Sequence, residues 1–136
     1  MMTATVSSQW KGNEVKIAGK RVVGKSIYEI GLVVEGQAKA LTPVDTGRLR
    51  GSITTASVDK QTSPQYPSGS MDSIRRPNDS NEVLVGTAVE YGPYIEFGTV
   101  RSSAQPFLRP SLDLAKGKTL TIMEKNGRME FKEYMK

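Results

Sequence analysis

The sequence predicts a small α+β domain, and three observations carry that prediction. Apolar residues recur at helical spacing over residues 21–41. Two stretches rich in β-branched residues, 51–58 and 82–90, flank a long polar excursion. A proline-started apolar pattern over 106–116 indicates a second helix. The chain has 136 residues, the size of one domain.

Residues 1–20 read as a polar N-terminal arm, with Gly12 and Gly19 interrupting any pattern. Trp10, Val15 and Ile17 are compatible with one short strand or with draping over the core. In the next segment, Val23, Ile27, Ile30, Val34, Ala38 and Leu41 stand at spacings of 4, 3, 4, 4 and 3, one stripe of an α-helix. That stripe is expected to be core, with Ile30 at its middle. Thr42-Pro43 stops the helix, because the residue before proline avoids the α region. Val44-Asp45-Thr46-Gly47 reads as a turn in which Asp and Thr hydrogen-bond local backbone and Gly takes a positive φ.

Leu49, Ile53, Thr54, Thr55 and Val58 predict a strand over 51–58. Residues 59–81 contain three Pro, five Ser and one Gly in 23 positions, with Tyr66, Met71 and Ile74 as their large apolar groups. Such a composition buries too little surface to offset its ordering entropy, so a long flexible loop between two strands is expected. Residues 82–90 resume the sheet. Val83, Val85 and Thr87 alternate with Leu84, Gly86 and Ala88. A strand apolar on both faces is either central in its sheet or part of an oligomer interface.

Residues 91–110 hold Tyr91, Tyr94, Phe97 and Phe107, four of the nine aromatics. Pro93 and Gly98 bracket one helical turn. Glu96, between Ile95 and Phe97, is expected to be half-buried and to need an arginine or backbone N–H partner, with Arg109 a candidate. Phe107, Leu108, Leu112 and Ala115 form one face of the helix over 106–116. Beyond Gly117, Leu120, Ile122 and Met123 fit either helix or strand, and Asn126-Gly127 is a hairpin signal if strands flank it.

Composition excludes several chemistries. The chain has no Cys and no His, so it carries no disulfide framework, zinc finger, thiolate nucleophile or Ser-His-Asp triad. A carboxylate-only Mg or Ca site is conceivable, but no spacing forces Asp45, Glu90, Glu96 and Asp113 into pairs. Gly86, Gly92 and Gly98 match no phosphate-binding fingerprint. No catalytic residue, cofactor or metal ligand is therefore assigned. No apolar run approaches the roughly 20 residues that span a bilayer, so no membrane association is expected. The first residues hold no apolar leader core, so secretion is not expected either. A net charge of +5, with Arg48, Arg50, Arg75 and Arg76 in pairs, raises a small nucleic-acid-binding module as the alternative function. The aromatics are not interleaved with these bases, as a single-strand platform requires. A small inhibitor or toxin-type interaction protein is a second alternative.

Three blocks resemble one bacteriophage family. Leu41-Thr42-Pro43-Val44-Asp45-Thr46-Gly47-Arg48-Leu49-Arg50 resembles its "aPVdTGrLr" block. Tyr91-Gly92-Pro93-Tyr94-Ile95-Glu96-Phe97-Gly98-Thr99 resembles its "YA-yvEfGT" block, and Gln105-Pro106-Phe107-Leu108-Arg109-Pro110 its "PFLRPA" block. The family is that of the tail-component, or neck and tail-completion, proteins of lambdoid siphophages and related prophages. All three blocks stand in family order, and the resemblance covers residues 21–116. Gly92, Pro93 and Ser111 depart from its more usual residues, and 117–136 form an extension outside it.

The resemblance implies a long N-terminal helix and a C-terminal helix packed on a small, mainly antiparallel sheet. It implies a structural, non-enzymatic virion protein of the head–tail junction. Such a protein assembles as a homo-oligomeric ring, six copies being one candidate number, between the head connector and the tail-tube protein. At most weak, non-specific DNA contact is expected. Tyr91, Tyr94, Glu96, Phe97 and Arg109 are the candidate subunit or partner contacts, and Tyr66, Arg75 and Arg76 the candidate loop contacts.

Overall fold

A computed structural model describes residues 2, 4, 11–43, 47–64 and 74–132. Its elements are α1 (Gly12–Leu41), α2 (Arg48–Ser52), β1 (Thr54–Ala56), β2 (Leu84–Gly86), α3 (Gly92–Phe97), α4 (Leu108–Lys116) and α5 (Thr119–Phe131). The class is α+β, as the sequence predicts. Helix α1 packs against α4, α5 and both strands. The strands pair antiparallel, with Thr54 opposite Gly86, Thr55 opposite Val85 and Ala56 opposite Leu84.

Helix α1 is 30 residues long and starts at Gly12. Residues 12–20, expected within a polar arm, are its first turns, and neither Val15 nor Ile17 belongs to a strand. Packing of Ala18 and Val22 against neighbouring elements outweighs the weak local propensity of the glycines. The helix ends where Thr42-Pro43 predicts. The Thr42 hydroxyl donates to the Ala38 carbonyl at 2.6 Å, closing the last turn.

The buried stripe of α1 is displaced from the predicted one. Ala18, Val22, Ser26, Gly31, Val34, Glu35 and Ala38 are buried, whereas Val23, Ile27 and Ile30 are half-buried and Leu41 is exposed. Ala18, Ser26, Gly31 and Ala38 are small residues on the buried line, and small side chains let a packed element come close. Gly31 shows the constraint directly. A Cβ there would stand 2.8 Å from methyl groups of both Thr55 and Val83. Ile30→Asp is therefore expected to cost only about 1–2 kcal/mol, the value of a partly buried aliphatic group. Urea denaturation measures it, and a loss near that of a fully buried residue contradicts the half-buried position.

After the turn, Gly47 has φ 73°, as expected of its glycine, while Val44, Asp45 and Thr46 lie outside the described residues. The predicted strand over 51–58 is shorter, because residues 48–52 form α2 instead. Leu49 enters the core, and the Ser52 hydroxyl donates to the Leu49 carbonyl at 2.6 Å. The strand over 82–90 shortens to β2, since Val89 N–H bonds the Thr87 hydroxyl at 3.0 Å and turns the chain towards α3. β2 is not a covered central strand. Leu84 is exposed and Val85 half-buried. β1, in contrast, is buried at all three positions.

The excursion begins by returning along β1. Thr62 N–H donates to the Thr55 carbonyl at 2.9 Å, and Ser57 N–H to the Lys60 carbonyl at 2.7 Å. Residues 65–73, with Tyr66 and Met71, lie outside the described residues.

The core gathers Ala38, Leu49, Ile53, Val89 and Phe107, with Val85, Tyr91, Ile95 and Leu108 packed on it. Residues 119–131, left open by the sequence, are helical. Asn126-Gly127 lies inside α5 and makes no hairpin, because the Asn126 amide donates to the Ser26 hydroxyl of α1 at 3.1 Å. Ion pairs Arg21–Glu130 and Lys125–Glu29 flank that buried contact.

Candidate subunit interface

Glu96 organises the region from α3 to α4. Its carboxylate accepts the backbone N–H of Phe107 at 2.8 Å, of Leu108 at 3.1 Å and of Arg109 at 3.0 Å. These are N–H groups at the start of α4, which a helix start leaves without intrahelical partners. Pro110, the next residue, has no N–H to satisfy. The negative charge also faces the positive end of the helix. The backbone N–H partner expected for Glu96 is thus present, and Arg109 contributes its amide to the carboxylate.

The connection from α3 to α4 brings these groups together. Gly98, at φ 78°, caps α3 through its N–H to the Tyr94 carbonyl at 2.9 Å. Gln105 N–H then returns to the Ile95 carbonyl at 2.8 Å. In between, Thr99 N–H bonds the Ser102 carbonyl at 2.8 Å, and the Thr99 hydroxyl accepts from Arg101 and Ser102 N–H.

Burial raises the Glu96 carboxyl, but the three backbone hydrogen bonds and the Arg109 charge outweigh it and hold it below the ordinary value near 4.5. Glu35 behaves alike. Burial raises it, while bonds from Lys39, Thr55 and Thr62, with the Lys39 charge, lower it below 4.5. The sign follows. A carboxyl lowered on folding stabilises the fold above its unfolded value, and that contribution is lost as pH falls through the folded value. Stability in urea is expected to fall from pH 5 to pH 3, and the Glu35→Gln/Glu96→Gln variant to show a flatter decline. Parallel pH profiles for the two proteins contradict both assignments.

Beside this clamp lies an apolar groove of about 610 Å³. Ile30, Gly31 and Val34 of α1 form its floor with Val83–Thr87, Phe97, Leu108 and Leu112 around them. Among the candidate contacts, Glu96, Phe97 and Arg109 line this groove. Tyr94 and Phe97 are exposed at 62% and 77%, unusual for aromatic side chains in a small domain. Tyr91 instead packs on the core, with the Arg48 guanidinium 5.9 Å from its ring centroid.

Arg75 and Arg76 are exposed and do not join the groove; Arg76 donates to the Val58 carbonyl at 3.3 Å. Tyr66 lies outside the described residues. Sequence reasoning missed Ile30, Leu84 and Leu112 as parts of one surface. The signal for β2 was its two apolar faces, one of the two readings of which was an interface.

Among the described residues, no group of three or more acidic, Cys or His side chains is placed to hold a metal ion. Among them too, no helix is long and apolar enough to cross a membrane.

No curated protein and no solved structure is significantly similar to the chain. The family described as "Bacteriophage HK97-gp10, putative tail-component" matches residues 10–98. That span runs from just before α1 to Gly98 and takes in the first block, the second as far as Gly98, α1 to α3 and the sheet, but not the third block. It covers more than half of the chain, and the chain belongs to the HK97-gp10-like family of bacteriophage tail components.

Proposed function

We propose that this tail component acts at the head–tail junction as a neck or tail-completion protein, assembling as a ring between the head connector and the tail-tube protein. The carrying observation is the open apolar groove beside exposed Tyr94 and Phe97. A chain that holds such a surface in water gains by covering it, and apolar patches of this kind mark protein contacts. Identical copies joined by unlike surfaces close into a ring when the rotation permits. Tyr94, Phe97 and Arg109 are assigned to contacts with the neighbouring copy or partner, and Tyr91, packed on the core, supports the turn that carries them. Glu96 supports them by holding α4 in place, and Arg75 and Arg76 are assigned to contacts made by the loop.

Electron microscopy of particles made without this protein tests the reading. Separate heads and separate tails are expected, and fully joined particles refute it. A ring around the genome passage gains nothing from a tight grip on DNA. Duplex DNA is therefore expected to bind only at the non-specific level, ~10⁻⁴–10⁻⁶ M at physiological salt, and to weaken steeply as salt rises. A fluorescence titration at two salt concentrations measures this. Nanomolar binding that persists at high salt favours the nucleic-acid-binding module instead.

A further inference from the structure

Helix α5 carries a basic stripe that neither the Glu96 clamp nor the groove uses. Lys118 and Lys132 cap its two ends, and Thr121, Lys125 and Arg128 stand between them at steps of 3, 4, 3 and 4. At about 100° per residue, all five fall within roughly 80° around the helix axis and spread over about 21 Å along it. All five are exposed. The contact with α1 fixes this orientation. Asn126 is buried and donates to the Ser26 hydroxyl, which turns the stripe away from α1 towards water.

Most of these cations have no counter-charge. Lys118, Arg128 and Lys132 make no ion pair among the described residues. Lys125 meets Glu29 at 3.7 Å, a surface pair of little strength. Glu124 borders the stripe beside Arg128, and Glu130 faces the other way, to Arg21 at 3.4 Å. No carboxylate stands within the stripe. Helix stability does not account for it, because Lys125 with Arg128 and Arg128 with Lys132 are like charges at repelling spacings.

The residue types select the partner. A protein contact centres on apolar and aromatic residues and is depleted in Lys, and the stripe has no apolar member. Exposed Met129 lies beside it, on the side of a cavity shared with α1. A phosphate backbone needs no apolar centre. It is held by Lys and Arg charges and by hydroxyls of the kind Thr121 presents.

We propose that the α5 stripe is the surface through which this protein touches duplex DNA, by its backbone phosphates and without reading sequence. The choice of DNA rests on the reading of the chain as a ring around the genome passage. Four cations set the strength: the logarithm of the binding constant falls against that of salt with a slope of about −3 to −4. A hold so weak and so sensitive to salt lets a duplex pass.

The test combines Lys118→Gln, Lys125→Gln, Arg128→Gln and Lys132→Gln in one full-length protein. A control removes as much charge elsewhere, through Lys16→Gln, Arg50→Gln, Arg75→Gln and Arg101→Gln. Binding to a mixed-sequence duplex is titrated by fluorescence at several salt concentrations. The stripe variant is expected to bind at least about tenfold more weakly at low salt and to lose most of the slope, and the control to lose less than about threefold. Lys118→Arg, Lys125→Arg and Lys132→Arg together are expected to keep the binding. If the fourfold variant fails to fold, each single glutamine is expected to lower the slope by about one. Equal losses in the stripe variant and the control show net charge at work and overturn the proposal. So does an unchanged DNA titration with lost association to tail-tube protein, which makes the stripe a protein contact. A parent chain that binds no DNA at low salt overturns it as well. All three outcomes leave the joining role standing, which microscopy of particles made without the protein decides.

Discussion

Phe107→Ala is expected to destabilise the protein by about 3–5 kcal/mol, the usual range for removing a buried aromatic ring. Phe107 is fully buried and heads the largest enclosed side chains, in contact with the core that Ala38, Leu49, Ile53 and Val89 form. A domain of this size has about 5–15 kcal/mol of stability in total, so the loss approaches unfolding. Phe97→Ala is the internal contrast. Phe97 is 77% exposed, and its truncation is expected to stay within about 0.5 kcal/mol. Urea midpoints of the two variants, measured side by side, check the pair. Equal losses contradict the division between a core ring and a surface ring. If Phe97 is a contact, its variant folds normally and fails in head–tail joining.

Gly98→Ala is the second large effect, at about 2–4 kcal/mol from strain and overpacking together. At φ 78° and ψ 172°, Gly98 occupies a region that is essentially restricted to glycine. An added Cβ would also stand 2.7 Å from the Ala104 nitrogen and 3.0 Å from the Ser102 carbonyl oxygen, backbone atoms that cannot swing away. The expected damage spreads along the chain. Shifting residues 102–104 moves Gln105 off the Ile95 carbonyl and carries the α4 amides away from Glu96. Hydrogen exchange reads this out. The amides of Phe107, Leu108 and Arg109 should lose protection before those of α1. An unchanged exchange pattern contradicts the coupling between the glycine and the clamp.

The sequence by itself determined features with a local cause. The stop of α1 at Thr42-Pro43, the positive φ of Gly47, the Pro93–Gly98 turn and the Pro-rich start of α4 each follow from backbone chemistry within a few residues. Glu96 was legible in part. A carboxylate between Ile95 and Phe97 had to find donors, and the three motif blocks gave the family. The tertiary structure alone decided which face of α1 is buried, because close approach selects Ala18, Ser26 and Gly31 over Ile27 and Ile30. It also decided that α1 extends back to Gly12, that residues 48–52 coil before β1, and that Asn126-Gly127 lies within a helix. Local propensities at these places are weak or opposed, and contacts with distant residues, such as Asn126 with Ser26, set the outcome. The groove is the fullest case. Ile30, Leu84, Phe97 and Leu112 come from four separate elements. Periodicity marks each as apolar, but only packing fixes which apolar residues the core encloses and which it leaves facing water.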